Sequence, residues 1–156
     1  MLLKDNVVLI TGGAGLNGLG FATARQMAAQ GAKVAILDLE RANPAAAAAQ
    51  LGAGHIGLVA DVTDKASCDA AAAAVLKAFG RIDVLLNNAG ITRTDMPVSA
   101  MTLENWNHTI AVNVTGPMLL AREALRQSMI PARAGNVQFF SSAAAKRVRA
   151  RKAHYA

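Results

Sequence analysis

A three-layer α/β fold, with a doubly wound parallel sheet of about five strands, is what this sequence predicts. Three observations predict it. Short apolar runs rich in Val, Ile and Leu alternate with longer alanine-rich stretches, the order that builds strand–helix–strand crossovers. The first run, Val7-Val8-Leu9-Ile10, is continuously apolar rather than alternating, as a strand covered on both faces requires. A glycine cluster, Thr11 to Gly20, follows the first run directly and opens into helix-forming sequence. The 156 residues suit a single domain, 1–156, with enough chain to bury a core.

The elements follow in order. Val7-Val8-Leu9-Ile10 is the first strand. A helix over Leu19–Gln30 stops at Gly31, a residue free to take the left-handed conformation that ends helices. Lys33–Leu39 is the second strand. Asn43-Pro44 reads as a cap and first helical residue, and the alanines at 45–49 continue that helix. His55–Val59 is the third strand. Thr63 is expected to cap a helix over Asp64–Phe79, with Asp64 at the positive end of its dipole. Val84–Leu86 is the fourth strand and 88–101 a loop. Thr102 then caps a long helix running to Met129, which Gly116-Pro117 should kink or loosen. Asn136–Phe140 is the fifth strand.

Composition bounds the function. Hydrophobic residues make up 53% and charged residues 17%, which excludes a disordered chain. No apolar run approaches the roughly 18 residues of a membrane span, so no membrane partner is expected. Residues 1–10 lack the charged start, apolar stretch and cleavage site of a signal peptide. One cysteine, Cys68, allows no internal disulfide and fits a reducing cytoplasm. The three histidines are too scattered to suggest a metal site. The net charge of +6 comes from the tail: residues 1–142 hold eleven Lys/Arg against ten Asp/Glu, whereas 143–156 hold five and no acid. That run reads as a solvated loop. A nucleic-acid patch is the alternative, and it is not expected, because the tail lacks interleaved aromatics and the rest is nearly neutral.

The glycine cluster carries chemistry. Glycines permit a tight turn and let backbone approach a pyrophosphate, and a helix N-terminus offers free N–H groups and a positive dipole end. Asp38 ends the second strand, 18 residues beyond Gly20. A carboxylate there can accept hydrogen bonds from the adenosine ribose hydroxyls. Gly12, Asn17, Gly18, Leu19, Gly20 and Asp38 are therefore candidate dinucleotide contacts. The carboxylate would repel a 2′-phosphate, which favours NAD over NADP. Arg41 argues the other way, since its guanidinium can pair with a phosphate.

At this point the sequence resembles the short-chain dehydrogenase/reductase family, whose fold is Rossmann-like. The family carries Thr-Gly-x-x-x-Gly-x-Gly after the first strand; here the turn is two residues longer. Asp61-Val62 matches the family's Asp-Val after the third strand, which cradles the adenine. Asn87-Asn88-Ala89-Gly90 matches its most specific motif and implies that Asn88, Ala89 and Gly90 shape the cofactor pocket. Asn113 matches a helix asparagine that orders water in a proton relay. Ser142 and Tyr155, 13 positions apart, match the catalytic serine and tyrosine. The lysine of the family's Tyr-x-x-x-Lys element would fall at position 159. The resemblance covers essentially all 156 residues and leaves the family's C-terminal part and last strands unmatched.

The resemblance implies hydride transfer between nicotinamide and an alcohol or ketone, 3-oxoacyl and 3-hydroxyacyl thioesters included. Tyr155 would move the proton, Ser142 would hold the substrate oxygen, and a homo-oligomer would be the working form of the full-length protein. An unaided phenol titrates near pH 10, so only about 0.1% is ionised at pH 7. Without the lysine, little or no turnover and weak stability are expected, with Val137-Gln138-Phe139-Phe140 left as an exposed sheet edge. A cofactor-binding remnant without catalysis is the alternative, and nucleic-acid binding through the tail a third.

Overall fold

The computed structural model describes every residue except Val148. Five strands form one sheet: β1 (Val7–Thr11), β2 (Lys33–Asp38), β3 (Ile56–Val59), β4 (Val84–Asn87) and β5 (Asn136–Phe139). All neighbours are parallel and the order is β3-β2-β1-β4-β5. The sheet and its flanking helices are Rossmann-like, as expected. The chain steps outward from β1 to β3, then returns to place β4 on the other side of β1. Leu9 is thus flanked by Ala35 of β2 and Leu85 of β4. That reversal opens a crevice at the carboxyl ends of β1 and β4.

Alternate residues of each strand build two core layers. Val8 and Ile10 pack with Val34 and Ile36 against Phe21 and Ala24 of α1 (Leu19–Ala29) and against Ala47 and Ala48 of α2 (Pro44–Ala49). Val7 and Leu9 pack with Leu85 against Val75 of α3 (Lys65–Phe79) and Leu120 of α5 (Gly116–Ala124). Each fully buried Val, Leu or Ile side chain among these contributes about 1.5–3 kcal/mol. Alanine fills the helix faces, so helices approach the sheet closely with few aromatics. Among the described residues, no helix is long and apolar enough to cross a membrane.

Several expectations need correcting. Asp64, not Thr63, caps α3: its carboxylate accepts from the N–H groups of Ala66 and Ser67. Thr63 is diverted, because both its N–H and its hydroxyl donate to Asp61 Oδ1. The second strand ends at Asp38, and Leu39 N–H turns back to Asp38 Oδ1. The third strand starts at Ile56, while His55 Nδ1 accepts from Val34 N–H. The fifth strand ends at Phe139.

The long helix capped by Thr102 is interrupted twice and runs past Met129. It comprises α4 (Leu103–Ile110), a π turn (Ala111–Thr115), α5, a second π turn (Leu125–Met129) and α6 (Ile130–Ala132). Each π turn closes on a residue that precedes a proline: Gly116 N–H bonds Ala111 C=O, and Ile130 N–H bonds Leu125 C=O. Pro117 and Pro131 lack the N–H that an α ladder needs, and widening the preceding turn relieves the clash of the proline ring with the carbonyl four residues back. Gly116 is needed for a second reason. A Cβ there would meet Val62 Cβ and the Val62 carbonyl at 2.9 Å, so the helix lies directly on the Asp61-Val62 segment.

Candidate functional site

A cavity of about 750 Å³ occupies the crevice at the strand ends. Its floor is the glycine turn. Gly12 has φ +64°, and a Cβ on it would stand 2.8 Å from Ala89 Cα. A Cβ on Gly20 would meet Gly12 O and Asn88 Nδ2 at 2.5 Å. These two glycines let the turn, the start of α1 and the β4 loop come together. Within the turn, Gly18 N–H bonds back to Gly15 O at 2.7 Å. Gly18 is also the N-cap of α1 and has no side chain to cap it. Ala22 N–H already bonds Gly18 O. The first-turn amides of Leu19 and Gly20 have no intrahelical acceptor, and both residues line the cavity.

Asp38 faces this floor. Its Oδ2 accepts from Ala14 N–H at 3.0 Å and its Oδ1 from Leu39 N–H at 2.8 Å. The carboxylate therefore clasps the glycine turn to the end of β2. Each oxygen keeps a further lone pair for another donor.

The opposite wall is the β4 loop. Asn88 Nδ2 donates to the carbonyls of Thr11 (2.9 Å) and Gly12 (3.0 Å). In return Thr11 Oγ1 accepts from the N–H groups of Asn88 (3.1 Å) and Ala89 (2.9 Å). Asn113 holds the next residue by both ends: its Oδ1 accepts from Ile91 N–H, and its Nδ2 donates to Ile91 C=O, each at 2.8 Å. The carboxamide of Asn113 is thus used to fix the loop.

Of the residues singled out from sequence, Gly12, Gly18, Leu19, Gly20, Asp38, Asp61, Val62, Asn88, Ala89 and Gly90 line the cavity together, with Arg41 beside Asp38's segment. Asn17, Asn113, Ser142 and Tyr155 do not line it. Ser142 begins a short 3-10 turn (Ala143–Ala145), where its Oγ accepts from Ala144 N–H at 3.2 Å. The sequence reading missed Thr11, Arg93 and His108. Thr11 was visible as the residue before the first glycine, but its double acceptor role depends on β4 lying beside β1. Arg93 and His108 also line the cavity, and Arg93 Nη1 is held by Asn105 Oδ1 at 2.6 Å. They enter the wall only because α4 folds back over the β4 loop.

Cys68 lies buried behind the Asp61-Val62 segment. Burial, then the carboxylates of Asp64, Asp69 and Asp61, push its thiol up to about 11. The thiol donates toward Val62 C=O at 3.4 Å.

Comparison with known proteins agrees with this fold. The sequence model of a family described as short chain dehydrogenase matches residues 6–156. D-threitol dehydrogenase from Mycolicibacterium smegmatis is 40% identical over 146 residues, covering 92% of this chain and 55% of that protein. Galactitol 2-dehydrogenase from Agrobacterium fabrum is 40% identical over 148 residues, covering 94% and 56%. A crystal structure of 3-ketoacyl-(acyl-carrier-protein) reductase from Brucella melitensis, complexed with NADH, superposes with a TM-score of 0.89 at 31% identity. It covers 98% of this chain and 64% of that one. The chain thus spans little more than half the length of these curated relatives.

Proposed function

The chain belongs to the short-chain dehydrogenase family of NAD(P)-dependent oxidoreductases, and on that premise we propose that its cavity binds NAD for hydride transfer to or from a small alcohol or ketone. One observation carries the reading: the uncapped first turn of α1 and the Asp38 carboxylate wall the same cavity. The volume lies within the roughly 300–1,000 Å³ usual for small-molecule sites. The amides of Leu19 and Gly20 would hold the pyrophosphate with their N–H groups and the helix dipole. Asp38 would accept from ribose hydroxyls with its remaining lone pairs and repel a 2′-phosphate. Val62, with Asp61 beside it, offers an apolar seat for the adenine, and Asn88, Ala89 and Gly90 form the facing wall. The cofactor, when bound, supplies the hydride chemistry.

Substrate handling falls to Ser142 and Tyr155. Ser142 Oγ accepts from Ala144 N–H, so its own O–H is left to donate to a substrate oxygen. Tyr155 is the proposed proton-transfer group. Asn113, with its carboxamide bound to Ile91, supports a proton relay by positioning the cavity loop. The relatives named for threitol, galactitol and a 3-ketoacyl substrate support the alcohol or ketone class. The single cysteine supports a cytoplasmic setting. The exposed apolar side chains of Val114, Met118 and Leu125 support self-association.

A second reading, cofactor binding without turnover, is favoured by one observation. The nearest cation in sequence to Tyr155 is Lys152, whose Nζ is paired with Asp95.

Fluorescence titration with NADH and NADPH tests the cofactor assignment. Wild-type protein should bind NADH the tighter. Asp38→Asn, which keeps an acceptor for Ala14 N–H but loses the charge, should narrow that preference by about tenfold, or about 1.4 kcal/mol. If neither nucleotide binds, the assignment fails.

A further inference from the structure

We propose that His154 is a positioning residue for Tyr155: its buried ring, hydrogen-bonded to the Thr92 carbonyl, fixes the neighbouring tyrosine against the loop that walls the cofactor cavity. The proposal deepens the oxidoreductase reading and rests on it. His154 is 4% exposed and is the only buried residue between 141 and 156 among those described. Its Nε2 lies 2.7 Å from Thr92 O. A carbonyl oxygen can only accept, so Nε2 carries the hydrogen and the tautomer is set. Nδ1 is buried with no partner among the described residues, which makes the Thr92 contact the ring's one polar tie.

Two further contacts bring the tail to the same loop. Met96 N–H bonds Arg151 C=O at 3.0 Å, and Lys152 pairs with Asp95. Tyr155 N–H then bonds Lys152 C=O at 2.9 Å, closing a turn that has His154 at its inner face.

The loop itself is anchored at its other end. Residues 88 and 89 are held by Thr11, and residue 91 by Asn113. Residue 92 is held by His154, and residues 95 and 96 by the tail. One short stretch of backbone therefore links the glycine turn to Tyr155. Ile91, next to Thr92, lines the cavity. An exposed basic tail would otherwise leave Tyr155 free to wander, because Lys146, Arg147, Arg149 and Arg151 are all exposed. An imidazole fits this task. It is flat enough to bury, yet it carries a donor that reaches a backbone carbonyl.

Tyr155 is the protein's one tyrosine, so 3-fluorotyrosine gives a single ¹⁹F resonance. Trp106, the one tryptophan, reports separately on folding of the helical layer. In wild-type protein without nucleotide, the resonance should lie away from its urea-denatured position. His154→Ala should return it to that position while Trp106 emission stays native. His154→Gln, which keeps a donor at similar reach, should restore most of the shift. Saturating NADH should move the wild-type resonance and leave that of His154→Ala unmoved, with NADH affinity changed less than threefold.

A wild-type resonance at the denatured position, or one that His154→Ala does not move, overturns the proposal. So does a wild-type resonance indifferent to bound NADH. If NADH does not bind at all, the cofactor reading fails instead, and the nucleotide-free comparison still decides the anchor.

Discussion

β1 (VVLIT) and β5 (NVQF) are short strands of the same parallel sheet, and all five residues of β1 are buried whereas none of β5 is. β1 has β2 and β4 as neighbours, with a helical layer on each face. β5 has only β4 beside it, and Phe139 and Phe140 remain 59% and 46% exposed. The difference teaches that an apolar side chain is buried only where neighbours cover it, as the exposed Phe139 shows. It also divides the molecule by task. The β2-β1 side, with the glycine turn and Asp38, is closely packed and carries the cavity proposed for the cofactor. The β5 side, with Ser142 and the tail, carries the residues proposed for substrate chemistry and is thinly covered.

The sharpest way to break this comparison is to truncate one side chain on each strand. Leu9→Ala in β1 should cost about 2–5 kcal/mol, read as a fall in the urea midpoint. Gly20→Ala should come next. Its Cβ would press on Gly12 O and Asn88 Nδ2, costing about 1–3 kcal/mol and weakening NADH binding at least tenfold.

Acid should expose a third difference, on the α5 face. Arg126 first, then Gln127 and Arg122, hold the Glu123 carboxyl at about 2, below its ordinary 4.5, against the opposing effect of burial. A carboxyl depressed in the folded state stabilises above its unfolded pKa and loses that contribution as pH falls from 4.5 toward 2. Glu123→Gln should flatten the pH dependence of the urea midpoint across that window. An unchanged slope would remove Glu123 as its source. The smallest effect belongs to β5: Phe139→Ala should shift stability by no more than about 0.5 kcal/mol. A loss as large as that of Leu9→Ala would show that β5 is covered in solution, and sedimentation would then reveal whether a second copy covers it.

Much of the fold was legible in advance. All five strands were marked to within a residue at each end, β1 most clearly, because a strand buried on both faces has no polar side to interrupt its apolar run. Asn43-Pro44 and Thr102 marked two helix starts by their capping chemistry. Thr63 misled because its hydroxyl had a competing partner in Asp61, two residues away. The second π turn was not foreseen, although Pro131 carries the same missing donor as Pro117. Within the site, the glycines and Asp38 were legible from their residue types, and the Asn88–Gly90 run through the family resemblance. Thr11, Arg93, His108 and the His154 anchor were not, since each matters through a partner distant in sequence.

The sequence by itself determined the alternation of strands and helices, the glycine-lined start of α1 and the carboxylate at the end of β2. These depend on local backbone freedom, hydrophobic pattern and the chemistry of single residues. Only the tertiary structure decided that Asp38 clasps Ala14, that Asn88 and Asn113 spend their carboxamides on backbone, and that His154 reaches Thr92. Hydrogen bonds between residues tens of positions apart have no local signature. They exist because parallel strands, joined by long crossovers, bring their carboxyl ends to one edge of the sheet.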